Sequence, residues 1–340
     1  MPQTFATKIK EHLSENTARG IFGIINDEMS LVETEFERQA NSNIQVIDYL
    51  GDYLRASGGK RVRPALLILS NYAAGGNGKA ENVIRLATVM EMLHTATLVH
   101  DDIIDNADLR RNRSSVNARF GNQTAVLMGD WLYMSAFETS LEERSLAVLD
   151  ILTRLTRKMT EGELIQLTLL GDVDISEEQY FDVLRRKTAY LFAGCCEIGA
   201  ILAGASTEVQ AAVRDFGLNL GIAFQLADDV FDFEADEKVI GKAAGTDLLE
   251  GKLTYPLIKL ADADHTIRQI LENVMDKGVY ADESRNQINE RLKTHGILEM
   301  TKKAASEFGE AARKSLDVLP QTEYRSALEM IPDFVVRRRK

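Results

Sequence analysis

The sequence predicts an all-α fold, a helical bundle forming one domain over residues 1–340, and three observations carry that reading. Apolar residues recur at three- and four-residue intervals almost throughout, the spacing of one helix face, while the alternation of half-buried strands is scarce. Ala, Leu, Glu, Lys and Arg fill long stretches and only five residues are proline, a mixture that favours helix. The breaks between periodic stretches are short glycine-bearing segments at Gly58–Gly59, Gly75–Gly76, Gly171 and Gly241–Gly251, none long enough for a domain linker.

Residues 1–42 open with "MPQTFATKIKEHLSENTARG", charged and amphipathic, and read as a helical extension packed on the main body. They contain no apolar run of the kind that directs secretion or spans a bilayer. Next come "IQVIDYLGDYL" from Ile44 to Leu54 and a helix from about Glu81 to Asp105, roughly 35 Å long at helical rise. This second helix is apolar over most of its surface, so it is a buried central element. "AVLDILTRLTRKMTEGELIQLTLL" follows, then a helix whose start is marked by Ser176 and Gln179 in capping-box positions. "AAVRDFGLNLGIAFQLADDVFDF" is another, and Thr254 just ahead of Pro256 marks a further start. No tandem repeat stands out, and the terminal "RRRK" is the one low-complexity tract.

The formal charge of −12 argues against nucleic acid as a partner, because a phosphate backbone attracts a basic face. Any anion must be held by a local basic cluster. Cys195 and Cys196 are adjacent in an apolar run, which suits neither a metal pair nor an easy disulfide and fits a reduced, cytoplasmic protein.

The anomaly is "HTATLVHDDIIDNADLRRNR", residues 94–113, where an apolar helix ends in Asp101, Asp102 and Asp105. Asp101 and Asp105 lie one turn apart, with Cβ atoms roughly 6 Å from each other. Carboxylates held so close repel each other and either share protons or collect cations. One such cluster is an ordinary solvated helix terminus. Here "QLADDVFDF" repeats it with Asp228, Asp229 and Asp232 at the end of a second apolar helix. Hard oxygen ligands in two such sets suit Mg2+, which takes few carboxylates and bridges to phosphate oxygens. Arg110 and Arg111 beside the first set, Lys60, Arg61 and Arg63 in "GGKRVRP", and Lys187, Lys242 and Lys252 supply cations for the phosphates.

These residues resemble the trans-isoprenyl diphosphate synthases, the polyprenyl synthetase family. The resemblance is carried by "GGKRVRP", "EMLHTATLVHDDIIDNADLRR", "RRKTAYLF", "FQLADDVFD" and "GKAAGTDLLEGKLTYPLI", and runs from about Asn43 to the C-terminus. It implies an isoprenoid synthase-type bundle around a deep central cavity, a homodimer, and three Mg2+ ions. It implies that Asp101, Asp105 and Asp228 ligate Mg2+ and act in catalysis with Lys187, and that Asp102, Asp229 and Asp232 support them, Asp102 as a further ligand. Arg110, Lys187, Thr188, Gln225, Lys242 and Lys252 would hold an allylic diphosphate, and Lys60, Arg63, His94 and Arg111 isopentenyl diphosphate. The implied reaction is ionisation, condensation and elimination, lengthening the allylic chain by one five-carbon unit.

In the family, aromatic residues four and five positions before the first aspartate close the product tunnel early. Here these are Thr97 and Ala96, both small, which implies a long all-trans product of about C30–C50, of the kind quinone side chains carry. Leu93, Met90 or Trp131, deeper down, are the residues that would set a shorter, farnesyl or geranylgeranyl, limit. The chain departs from the family pattern at Asn112, Ala243 and Phe231, none of which removes a charge. A terpene cyclase pairs its first motif with a different second one, and a regulatory subunit of a heteromeric synthase loses aspartates or cations that are all present here. The tail Arg337–Lys340 is read as solvated, with peripheral membrane contact open to an enzyme that releases a greasy product.

Overall fold

The structure, a computed structural model, describes residues 17–40, 42–56, 61–110, 113–234 and 245–336. Lys60, Arg111, Lys242 and the tail 337–340 therefore lie outside the described residues. Within them the chain is helical, and the one β element is a hairpin of two-residue strands, β1 (Leu109–Arg110) and β2 (Arg113–Ser114). The packing of the backbone divides the chain into two compact units, each assembled from three separate segments.

The first unit comprises Met1–Thr156, Leu191–Arg214 and Leu316–Met330. It contains α1 (Thr17–Gly23), α2 (Asn26–Ala40), α3 (Gln45–Ala56), α4 (Val62–Ala73), α5 (Glu81–Ile104), α6 (Val116–Phe120) and α7 (Asn122–Leu141). The predicted central helix is α5, which packs most extensively on α7 and also on α4 and α2. It buries every residue from Leu86 to Leu93, then Ala96 and Val99; an unbroken buried run of this length goes right round the helix, as a buried helix requires, and its larger apolar members are Leu86, Val89, Met90, Met92 and Leu93. Full burial of side chains of this size contributes about 1.5–3 kcal/mol each. Two carboxylates, Glu91 and Asp102, are buried on the same helix at 5% and 3% exposure. The described part of the N-terminal extension packs through Val32 and Phe36 of α2, both buried.

The second unit comprises Arg157–Tyr190, Asp215–Ser315 and Ile331–Lys340. The helix α8 (Leu146–Thr168) enters it, followed by α9 (Glu177–Leu184) and a π-helical turn at Arg185–Ala189; α10 (Tyr190–Leu202) then belongs to the first unit from Leu191 on. Then come α11 (Thr207–Glu234), which belongs to the second unit from Asp215, α12 (Thr246–Leu249), α13 (Tyr255–Ala263), α14 (Arg268–Lys277), α15 (Asp282–Thr294), α16 (Ile297–Ser315) and α17 (Glu323–Val336), which belongs to the second unit from Ile331. Leu248, Leu257, Leu271, Ile288 and Ile297 knit α12 to α16 into one apolar cluster. Phe181, Leu184, Ile222, Leu226 and Tyr255 form a second.

The local signals behave as read. Ser176 accepts from the Gln179 N–H while the Gln179 side chain accepts from the Ser176 N–H, a full capping box. Thr254 is the residue before α13, with Pro256 in its first turn.

Candidate active site

Each unit carries one aspartate-rich helix end, and the two are built alike. In the first unit Asp101 and Asp102 occupy the last turn of α5 and Asp105 follows it, the Asp105 N–H donating to the Asp101 carbonyl at 2.8 Å. Positions four apart share a helix face while the neighbour points about a quarter turn away. Accordingly Asp101 and Asp105 are partly exposed and Asp102 is buried. The Asp102 carboxylate accepts from Arg110 Nε at 2.7 Å and Nη2 at 2.6 Å, a charge-assisted pair.

The chain after α5 is laced back to reach that geometry. Asn106 takes a left-handed conformation (φ 49), which Asn tolerates better than most residues, and Ala107 N–H donates to the Asp102 carbonyl. Asn117 Nδ2 donates to the carbonyls of Asp102 and Ala107, and Ser115, which caps α6, donates to the Ala107 carbonyl. These contacts set the hairpin that carries Arg110.

Arg63 stands in the first turn of α4 with its guanidinium over the Phe192 ring, 5.0 Å from the centroid. Arg61, grouped with it in the sequence, instead turns to carboxylates. Its Nε lies 2.6 Å from Glu33 and its Nη1 2.7 Å from Glu91. Burial alone would lower the Arg61 pKa, and the two carboxylates more than reverse that, holding it above the usual value. His94 is half-buried on α5, and its carbonyl accepts from Thr97 Oγ1 at 2.7 Å. Ala96 is fully buried and Thr97 partly exposed. A cavity of about 40 Å³ is lined by Arg61, Glu91, Thr95, Asp102 and Arg110.

In the second unit α11 ends in Asp228, Asp229 and Asp232, and again the middle aspartate is buried while its neighbours are partly exposed. Asp229 accepts from Tyr180 Oη at 2.5 Å, Gln225 Nε2 at 3.1 Å and the Tyr255 N–H at 3.3 Å. Burial nevertheless pushes its pKa up to about 7, with Asp247 adding repulsion. Asp232 accepts from the Thr246 N–H at 3.2 Å, and its Oδ2 is buried without a hydrogen-bond partner. Burial, then Asp247, raises it also to about 7.

Lys187 and Thr188 sit on the π-helical turn, a feature common at functional sites. Lys187 Nζ is 2.8 Å from Glu163 and bonds Gln166, and Thr188 Oγ1 donates to Gln225 Oε1 at 3.3 Å. The turn lies close against two glycines. A Cβ on Gly162 of α8 would fall 2.7 Å from Arg186 Cβ, and one on Gly221 of α11 would fall 2.6 Å from Ala189 Cα. Lys187, Thr188, Gln225, Asp229, Asp247 and Lys252 all line a cavity of about 180 Å³. All but Asp247 were singled out in the sequence. Asp247 follows Gly245 and Thr246 in "GKAAGTDLLEGK", and that "TD" after the glycine is its sequence signal. Lys252 Nζ is 2.8 Å from Glu250.

Each helix end by itself offers a pair of partly exposed aspartates, hard oxygen donors of the kind a divalent cation takes, and in the second pair Asp232 keeps one buried oxygen without a hydrogen-bond partner. Among the described residues no three Asp, Glu, His or Cys side chains converge to hold a metal by themselves.

The sequence profile of the polyprenyl synthetase family matches residues 44–292. The chain belongs to that family. As a polyprenyl synthetase it is 37% identical over 329 residues to octaprenyl diphosphate synthase of Escherichia coli (strain K12), covering 96% of this chain and 98% of that one. It is 36% identical to the all-trans-nonaprenyl-diphosphate synthase (geranyl-diphosphate specific) of Rhodobacter capsulatus, over 85% and 88% of the two chains. Among solved structures, the polyprenyl synthase from Caulobacter crescentus CB15 complexed with calcium and isoprenyl diphosphate matches with a TM-score of 0.88 at 34% identity, over 94% and 97% of the chains. The all-α, isoprenoid synthase-type fold and the enzyme class read from the sequence are both borne out: this polyprenyl synthetase is a trans-prenyltransferase.

Proposed function

We propose that the enzyme condenses isopentenyl diphosphate head-to-tail with an allylic diphosphate, farnesyl or geranylgeranyl, to give a long-chain all-trans polyprenyl diphosphate. The observation that carries this reading is the repeated arrangement at the two helix ends, where each middle aspartate is buried and held and the outer pair is partly exposed. Mg2+, three ions by analogy with the family, would be held by Asp101, Asp105 and Asp228, and when bound it neutralises the leaving diphosphate. Asp102 and Asp229, already engaged by Arg110 and by Tyr180 with Gln225, keep those helix ends in place.

The protein's own groups do the rest. Lys187, Thr188, Gln225 and Lys252 around the larger cavity, with Arg110 and Lys242, bind the allylic diphosphate and stabilise the charge it gains as the C–O bond ionises. Arg63, His94, Lys60 and Arg111 orient isopentenyl diphosphate so that its double bond meets the carbocation. Apolar walls exclude water, which would otherwise trap the cation. A proton then leaves the condensed chain for the departed diphosphate, so no side-chain nucleophile is needed. The small pair Ala96 and Thr97 puts no aromatic ring in the path of a chain growing beside α5, and relatives named as octaprenyl and nonaprenyl synthases support that length.

A shorter product is the second reading, because a geranylgeranyl diphosphate synthase from Methanosarcina mazei is 35% identical to this chain. The deciding assay supplies purified protein with Mg2+, farnesyl diphosphate and radiolabelled isopentenyl diphosphate, and reads product length by reversed-phase chromatography after dephosphorylation. Products of about thirty carbons or more support the long-chain reading. Products stopping at about twenty overturn it, and no incorporation with any primer overturns the catalytic reading in favour of a regulatory subunit.

We also infer one working domain, since three of the five unit boundaries fall inside the helices α8, α11 and α17. A homodimer is supported by Leu127, Met134 and Leu141, spaced seven apart on α7 and 68%, 63% and 47% exposed. Seven-residue apolar spacing is the seam of paired helices, and an exposed apolar stripe marks an interaction face. Both cysteines are free and buried, which supports a cytoplasmic setting. Among the described residues no helix is long and apolar enough to cross a membrane, so any contact of these helices with a membrane would be peripheral.

A further inference from the structure

Glu91 carries a charge that packing alone does not justify. It lies mid-way along α5, its side chain 6% exposed, with Oε1 accepting from Arg61 Nη1 at 2.7 Å and Oε2 buried without a hydrogen-bond partner. A half-satisfied buried carboxylate is expensive, and well-packed apolar residues in place of such a pair are often more stable. Its arginine partner is equally unusual. Arg61 stands immediately before α4 in a left-handed conformation (φ 47, ψ 38) and makes no side-chain cap there, a backbone state uncommon outside glycine. Its carbonyl accepts the first helical hydrogen bond of α4, from Ala65 N–H at 3.3 Å. Its guanidinium is gripped on both sides, by Glu33 of α2 and Glu91 of α5, and lies over the Phe36 ring.

We propose that Glu91 is a positioning residue for isopentenyl diphosphate. Through Arg61 it fixes the start of α4 and thereby the guanidinium of Arg63, two residues on, which also rests on the Phe192 ring. The inference rests on the reading that Arg63 binds isopentenyl diphosphate. It also gives α5 two matching jobs. Eleven residues apart and lining one cavity with Thr95 and Leu98, Glu91 and Asp102 each hold one arginine of one basic cluster, Arg61 and Arg110. One arginine of each cluster docks its backbone.

The test is steady-state kinetics of Glu91→Ala, Glu91→Gln and the double variant Arg61→Met/Glu91→Leu, varying each substrate with the other saturating. Titration calorimetry with isopentenyl diphosphate alone reads the same affinity without turnover. Misplacing a binding group predicts that Glu91→Ala raises the KM and Kd for isopentenyl diphosphate on the order of ten- to a hundredfold, leaving the allylic KM within about twofold. Glu91→Gln, which keeps an acceptor for Arg61, stays near wild type. The double variant regains the wild-type melting temperature yet keeps the raised KM, separating position from stability. Unchanged isopentenyl diphosphate affinity in Glu91→Ala, an equal rise in both KM values, or a double variant with normal KM overturns the proposal. Failure of the underlying reading shows separately, as an Arg63→Ala variant that binds isopentenyl diphosphate as tightly as wild type.

Discussion

Arg110 Nη2 lies 2.6 Å from Asp102 Oδ1, an ion pair that ties the hairpin to the end of α5 and sets Asp102 apart from Asp101 and Asp105. The three aspartates should therefore fail differently. Asp102→Ala leaves Arg110 without its partner and should destabilise the protein by about 2–3 kcal/mol, below the range for fully buried pairs because the Arg110 side chain is 34% exposed. Asp101→Ala should leave stability within about 0.5 kcal/mol, as surface substitutions do, while abolishing Mg2+-dependent condensation. Urea denaturation and turnover assays on both variants read the contrast, and normal turnover in Asp101→Ala or in Asp228→Ala would sink the catalytic reading.

The second aspartate set makes the metal-free protein sensitive to alkali. Asp229 and Asp232 have folded-state pKa values raised from 3.8 to about 7. Between those values the folded chain holds protons that the unfolded chain has released, so stability falls as pH rises. The melting temperature without metal should decline from pH 5 to pH 8. Mg2+ with inorganic diphosphate should restore it at pH 8 more than at pH 5, since only the ionised carboxylates bind cations. A flat metal-free profile would contradict the burial described for these carboxylates.

Tyr180 supplies Asp229 with its shortest hydrogen bond, and burial together with the Asp229 charge raises the phenol pKa well above its usual value, so it remains a donor. Tyr180→Phe should cost about 1–3 kcal/mol and extend the decline in melting temperature to higher pH, because the lost donor had favoured the ionised carboxylate and the folded-state pKa of Asp229 rises without it. Scanning calorimetry across pH measures both effects together.

Gly162→Ala and Gly221→Ala should each push on the π-helical turn, the new Cβ meeting Arg186 Cβ or the Ala189 backbone. Overpacking of this kind costs about 1–3 kcal/mol. Affinity for the allylic diphosphate should fall in both variants while the helical circular dichroism is retained, and a crystal structure of either would show Lys187 displaced.

The stripe on α7 predicts that Leu127→Glu with Met134→Glu yields monomers by light scattering. If wild-type protein is itself monomeric at micromolar concentration, the stripe has another purpose.

Much of the fold and part of the site were readable from local pattern. The bounds of α5, the capping box at Ser176 and the start of α13 depend on residues within a few positions of one another, and all three appear where the sequence put them. What escaped depends on distant partners. Arg61 looked like one more phosphate-binding cation because Glu33 and Glu91, which claim it, are 28 and 30 residues away. The one-turn spacing of Asp101 and Asp105 sets Asp102 apart in the sequence, but the surrounding helices decide that Asp102 and Asp229 are the buried members. Asp247 stands between Lys242 and Lys252 in the sequence, and only the folded chain brings its charge to bear on Asp229 and Asp232, 18 and 15 residues away.

The π-helical turn has an evolutionary corollary. Wider than an α-helical turn, it holds one residue more than regular helix would need between α9 and α10. Deleting a single residue from Arg185–Ala189 would let the stretch run as unbroken α-helix with better backbone bonding, at the cost of swinging Lys187 and Thr188 about a quarter turn relative to α10. The most robust version of this segment is thus an inert one. Deletion libraries sorted only for heat resistance should accumulate clones shortened here, and only a growth requirement for product would weed them out.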